Sequence, residues 1–147
     1  MTDVAFHFGA PDKLAYACRL LRKATGTGVR VVVVASPDEL SRIDIALWGV
    51  SPTDFVTHAR QDAMPSVLSR SSVLLGTSEL REAIQPDILV NMGDEVPPGF
   101  SAFDRVIEIV STDDIDRDLA RRRWMAYKNQ GISISRHDIQ LKSPAGA

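Results

Sequence analysis

Two hydrophobic patterns alternate along this chain. Short runs rich in β-branched and aromatic residues fall at Val4–Phe8, Val29–Val34, Ser72–Gly76, Ile88–Met92 and Asp104–Val110. Runs of that length read as strands, and VRVVVVA and DILVNM have the profile of strands buried on both faces, as in the middle of a parallel sheet. Between them apolar residues recur at helical spacing: Leu14, Ala17, Cys18 and Leu21 within residues 13–24, then Ile43, Ala46 and Leu47. Strands alternating with helices predict an α/β fold, a three-layer sandwich with a mainly parallel central sheet flanked by helices.

Local signals set the boundaries. Ser36, Pro37 and Glu39 make a capping box for the second helix: Ser36 supplies the cap, Pro37 suits the first turn and Glu39 reaches back. Trp48 ends that helix, either as a lid on the core or as an exposed anchor. Asp54–Val56 is a short candidate strand. His58 to Arg70 has no sustained period and contains Pro65, which predicts a long loop. Thr77–Ile84 reads as a two-turn helix. Asn91-Met92-Gly93-Asp94 leaves a strand where open α/β sheets place ligands, yet those residue types also suit a tight turn, and the turn is the reading preferred. Phe100 and Phe103 are expected to pin the loop that follows. Ile132 to Ser135 alternates and predicts an edge strand, and residues 142–147 read as a disordered tail. No composition break divides residues 1–141, so one domain is expected.

The strongest helix is TDDIDRDLARRRWMAYKNQG, Thr112 to Gly131. Thr112 is the expected cap, the aspartates of the first turn complement the helix dipole, and Gly131 supplies the stop. Ile115, Leu119 and Ala126 form the expected inner stripe. Arg117, Arg121, Trp124 and Lys128 share the opposite side, so an aromatic ring is set among three cations. Folding alone does not require that face, and Trp and Arg are the residue types that concentrate in binding hot spots. Arg123 lies nearer the inner stripe.

Composition narrows the classes. With 147 residues, 44% hydrophobic and 24% charged, the chain can build one core. A formal net charge of −2 excludes nucleic-acid binding by bulk electrostatics, so any positive patch is local. The single cysteine, Cys18, reads as a small core residue. An acid at Asp3 stands where a signal peptide is basic, which predicts a cytoplasmic protein, and no apolar run approaches the roughly 20 residues of a membrane span.

Catalytic chemistry is not legible. His7, His58 and His137 are scattered, with no H-E-x-x-H, no paired cysteines and no G-x-S-x-G, so neither a metal site nor a nucleophile is expected. Gly26-Thr27-Gly28 follows a helix and opens a strand, the reverse of a phosphate loop. The fold expected is therefore Rossmann-like without a nucleotide-binding loop, and no cofactor is implied.

LARRRWMAYKNQG, with IDIALW at Ile43–Trp48, DFVTH at Asp54–His58 and the DILVNM strand, resembles the chi subunit of bacterial DNA polymerase III, an accessory of the clamp-loader complex. The similarity runs to about Ile134 and lies in the order and spacing of these motifs. It implies a non-catalytic subunit that grips the acidic C-terminal tail of single-stranded-DNA-binding protein on one side and the psi subunit on another. Carried over by position, the tail site is Arg117, Arg121, Trp124 and Lys128, and the psi contact is Trp48 and Phe55. Trp124 replaces the family's common tyrosine, Met125 replaces a further basic residue, and Thr57 replaces a proline. The resemblance implies a monomer or a heterodimer that reaches DNA indirectly. Two other classes stay open: a stand-alone α/β nucleotide enzyme using Ser36 and Asn91–Asp94, and a direct single-stranded-DNA binder using Arg121–Arg123, Lys128 and Arg136.

Overall fold

The structure is a computed structural model that describes residues 2–48, 57–60, 63, 71–76 and 87–139. Seven strands form one sheet: β1 (Asp3–Ala10), β2 (Val31–Val34), β3 (His58–Arg60), β4 (Val73–Gly76), β5 (Ile88–Asn91), β6 (Arg105–Ser111) and β7 (Ser133–Asp138). Their order is β3-β4-β2-β5-β6-β1-β7, and every pairing is parallel. The described helices are α1 (Lys13–Thr25), α2 (Pro37–Trp48) and α3 (Asp114–Asn129), with a single 3-10 turn at Phe100–Ala102.

Alternation along the strands divides the core into two layers. Val31 and Val33 join the cluster containing Ala17, Cys18 and Leu21 of α1 and Leu40, Ile43 and Leu47 of α2. Val32 joins the opposite cluster, with Val4, Phe6, Leu89 and Val106 against Ala120 and Tyr127 of α3. The result is the expected three-layer α/β sandwich, with α1 and α2 on one face and α3 on the other. Leu21, Ile43 and Leu47 are fully buried, and each contributes about 1.5–3 kcal/mol by leaving water.

The expected boundaries hold with small shifts. The capping box forms, since Glu39 N–H donates to Ser36 Oγ at 3.3 Å and Ser36 N–H donates to Glu39 Oε1 at 3.4 Å. Cys18 is buried, and burial pushes its thiol up from the ordinary value. Phe100 and Phe103 are buried and hold their loop as expected. Gly131, at φ 74°, ends α3: its N–H donates to Lys128 O at 3.0 Å and the Ile132 N–H to Tyr127 O at 3.1 Å, a Schellman stop.

Two expectations are corrected. The start of the stretch expected to be a loop, His58–Arg60, is an edge strand paired with Val73–Leu75, with Ala59 buried in the core and His58 Nε2 2.9 Å from Asp44 Oδ1 of α2. The cap of α3 is Asp113, not Thr112; its carboxylate accepts the Asp116 N–H at 3.1 Å. The candidate strand at Asp54–Val56, the helix at Thr77–Ile84 and the tail at residues 142–147 lie outside the described residues.

Candidate functional site

The inner face of α3 is polar, and this rotates the helix from its expected setting. Ile115 is 71% exposed, while Ala120, Arg123 and Tyr127 are buried, with Asp116 half-buried. These four follow the i, i+4, i+7, i+11 spacing of one face. The stripe Ile115, Leu119 and Ala126 is therefore not the docking face; at about 100° per residue it lies roughly a quarter turn away. Each inner polar group has a partner on another element. Asp116 Oδ2 accepts the Ser111 N–H at 2.8 Å, and Lys13 Nζ lies 3.3 Å from the carboxylate. Burial alone raises the Asp116 carboxyl, but those two donors hold it below the usual carboxylate range.

Beneath the centre of α3, Glu108 of β6 is sealed from solvent. Arg123 Nε and Asn91 Nδ2 donate to it at 3.0 Å, and the Tyr127 hydroxyl donates at 2.6 Å. Burial raises Glu108 above the ordinary value against the pull of Arg123. Burial and the neighbouring carboxylate push the Tyr127 phenol far up, so it remains a donor. Arg123 Nη1 reaches Asp94 O at 3.1 Å, fastening the loop after β5.

The rotation brings part of the expected basic face into a groove. Phe8 of β1, Arg136 of β7, and Arg117, Arg121, Trp124 and Met125 of α3 line a space of about 400 Å³. Trp124 is half-buried rather than free, its ring 5.0 Å from Phe6 and 6.2 Å from Phe8. Arg136 lies over the Phe8 ring at 4.6 Å. Among the described residues the lining contains three arginines and no carboxylate. Arg121 and Arg136 each pair with an exposed aspartate outside the lining, Asp118 and Asp138, at 3.0 Å. Arg117 has no ion pair among the described residues. Lys128 is exposed but does not line the groove.

Sequence reasoning missed Phe8, Met125 and Arg136 as lining residues. Part of the signal was present, because Ile134 and Arg136 alternate onto the face of β7 that meets α3. What the alternation does not disclose is that β7 pairs with β1 in the register Phe6 to Arg136 and Phe8 to Asp138.

Of the expected psi-contact residues, Trp48 closes α2, and its side chain, like the whole of Phe55, lies outside the described residues. The direct DNA-binding set is reduced, because Arg123 is 2% exposed and committed to Glu108.

The carboxyl ends of β2 and β5 frame a crevice of about 310 Å³ lined by Ser36, Glu39, Asn91, Asp94 and Glu95 among others. That is the switch point where an α/β sheet usually binds a ligand. Here Glu39 already occupies the amide end of α2, and Asn91 is spent on Glu95 O, Glu108 and the Gly93 N–H. Among the described residues the lining has three carboxylates and no cation, a setting that repels phosphate. Asn91 thus serves the turn, as preferred from the sequence. Among the described residues no three His, Cys, Asp or Glu side chains group as a metal site, and no described helix is long and apolar enough to cross a membrane.

Comparison with known proteins gives a consistent pattern. The family described as DNA polymerase III chi subunit, HolC, matches residues 1–135. A DNA polymerase III subunit chi from Pseudomonas aeruginosa is 31% identical over 130 residues, covering 86% of this chain and 87% of that protein. The proteins of the same name from Haemophilus influenzae and Escherichia coli are 28% and 25% identical, covering 84% and 80% of this chain and 85% and 80% of their own. Among solved structures, the C-terminal domain of the DEAD-box protein Dbp5 superposes with a TM-score of 0.61 at 13% identity, over 92% of this chain and 90% of that one, a likeness of fold alone.

Proposed function

The chain belongs to the DNA polymerase III chi subunit family, and on that premise we propose that it is a non-catalytic accessory subunit whose α3 groove holds the acidic C-terminal tail of single-stranded-DNA-binding protein. The observation carrying this reading is the groove lining, which among the described residues is three arginines, two aromatic rings and a methionine, with no carboxylate. Such a lining suits a peptide that presents carboxylates beside an apolar side chain, the cations receiving the charge and the rings the apolar group. Arg117, Arg121 and Trp124 are the tail-binding residues, with Lys128 at the rim.

On its other side the subunit joins the clamp loader through psi, in the cytoplasm, with Trp48 and Phe55 as the contact. It works as a monomer or in a heterodimer with psi and meets DNA indirectly. The test is anisotropy of a labelled peptide with several acidic residues and a C-terminal phenylalanine bearing a free carboxylate. Saturable binding to the parent that Arg121→Glu abolishes supports the reading. No binding of the peptide, together with binding of a bare oligonucleotide that falls with salt by a slope near −0.7 per contact, replaces it with direct DNA binding.

A further inference from the structure

The floor of the groove belongs to the sheet as much as to the helix. Phe8 comes from β1 and Arg136 from β7, adjacent strands at the edge of the sheet. Arg136 is prepared for a task that folding does not set. Its guanidinium lies 4.6 Å from the Phe8 centroid. Its Nε donates to Asp138 Oδ1 at 3.0 Å, and Nη2 stands 3.0 Å from the same oxygen. One edge and one face are thereby fixed while Nη1 is unbonded among the described residues. The side chain is 57% exposed, so the pair with Asp138 adds little stability. A guanidinium already held over a ring loses less conformational freedom when it meets a carboxylate than a free one does.

On the helix wall, Met125 places an apolar side chain where a cation could have stood. The positive charge is therefore divided between Arg117 and Arg121 on one wall and Arg136 on the other. From this we infer that Arg136, held over Phe8, is a ligand-contacting and specificity-determining residue: it takes one side-chain carboxylate of the acidic peptide from the sheet side, while the apolar side chain settles between Phe8, Trp124 and Met125. The inference rests on the groove being the peptide site. It specifies the ligand further, since a peptide with carboxylates on only one side of its apolar group meets the cations of only one wall.

The experiment titrates the labelled acidic peptide, and a second peptide whose acidic side chains are amides, against the parent, Arg136→Ala, Arg136→Gln, Arg122→Ala and Arg121→Ala. Arg122 is exposed and outside the lining, so it controls for net charge. Expected are a loss of about fivefold for either Arg136 variant on the acidic peptide, the upper end for an exposed ion pair, and a ratio to the parent near one on the amide peptide. Arg122→Ala stays within about twofold of the parent.

If the parent does not bind the acidic peptide, or Arg121→Ala leaves its affinity unchanged, the underlying reading fails. If Arg121→Ala weakens binding while both Arg136 variants match the parent, the reading stands and the inference is overturned. Equal losses for Arg122→Ala and Arg136→Ala overturn it too, by showing a net-charge effect, and so does an Arg136 loss that persists on the amide peptide. Should Arg136→Ala melt well below the parent, Arg136→Gln, which keeps the length of the side chain, carries the comparison.

Discussion

Arg123 donates from Nε to Glu108 Oε1 at 3.0 Å, with 2% and 0% of their side chains exposed, and this contact sets the rotation of α3 on the sheet. Removing one member leaves the other as an uncompensated buried charge, which costs about 3–5 kcal/mol. Arg123→Ala and Glu108→Ala should each lower the urea midpoint strongly. Peptide affinity, measured where the variant is still folded, should fall much less for Arg123→Ala than for Arg121→Ala. An Arg123→Ala protein as stable as the parent means that the pair does not hold the helix.

His7 gives the fold an acid sensitivity of definite sign. Burial first, then His137 and Arg105, lower it from 6.5 to about 4. Between those values the unfolded chain takes up a proton that the folded chain refuses, so stability falls as pH drops from about 6.5 towards 4 and is unaffected by this group above that range. The site is partly exposed, so solvent screening reduces the effect to about 1 kcal/mol. Urea titrations at several pH values should show this fall in the parent and a flatter profile in His7→Gln. Parallel profiles mean that His7 is not the group responsible.

Trp124 serves two ends. With Phe6 at 5.0 Å and Phe8 at 6.2 Å, its ring is part of the α3 core as well as the groove wall. Trp124→Ala should cost about 2 kcal/mol of stability, less than a fully buried aromatic, together with affinity for the acidic peptide. Trp124→Phe should keep the fold and most of the binding. Loss of affinity in Trp124→Phe equal to that of the alanine variant, at parent stability, assigns the recognition to the indole itself.

The layers and every described strand but the short edge strand His58–Arg60 were legible because they rest on hydrophobic pattern, which buried β-strands such as VRVVVVA carry within their own sequence. The face of α3 was not. Its inner positions hold Asp116, Arg123 and Tyr127, polar residues whose partners Ser111, Lys13 and Glu108 stand on other elements. A count of apolar positions turns such a helix towards Ile115, which is in fact exposed. Arg117, Arg121 and Trp124 of the expected basic face still line the groove, because they flank the buried stripe, whereas Lys128 does not. Its other wall depended on β7 lying beside β1, a pairing between the two ends of the chain that no local spacing encodes.

The burial pattern also ranks the cations. Arg117 and Arg121 line the groove, whereas Lys128, one turn beyond Trp124, does not. Among the described residues Arg121 is bound only to Asp118, an i, i+3 pair with both side chains about two-thirds exposed, so its removal should leave the melting temperature almost unchanged. A carboxylate bound in the groove gains a charged hydrogen bond from Arg121, and Arg121→Ala should weaken an acidic peptide by about 1–3 kcal/mol. Arg117→Ala should cost a similar amount, since no internal carboxylate among the described residues competes for it. Lys128→Ala should cost less than about 0.5 kcal/mol, a screened rim effect that vanishes at high salt. Calorimetric titration of one acidic peptide against the three variants, at low and high salt, orders them directly. If Lys128→Ala is the costliest of the three, the peptide lies on the outer face of α3, and the groove between Phe8 and Trp124 is not its site.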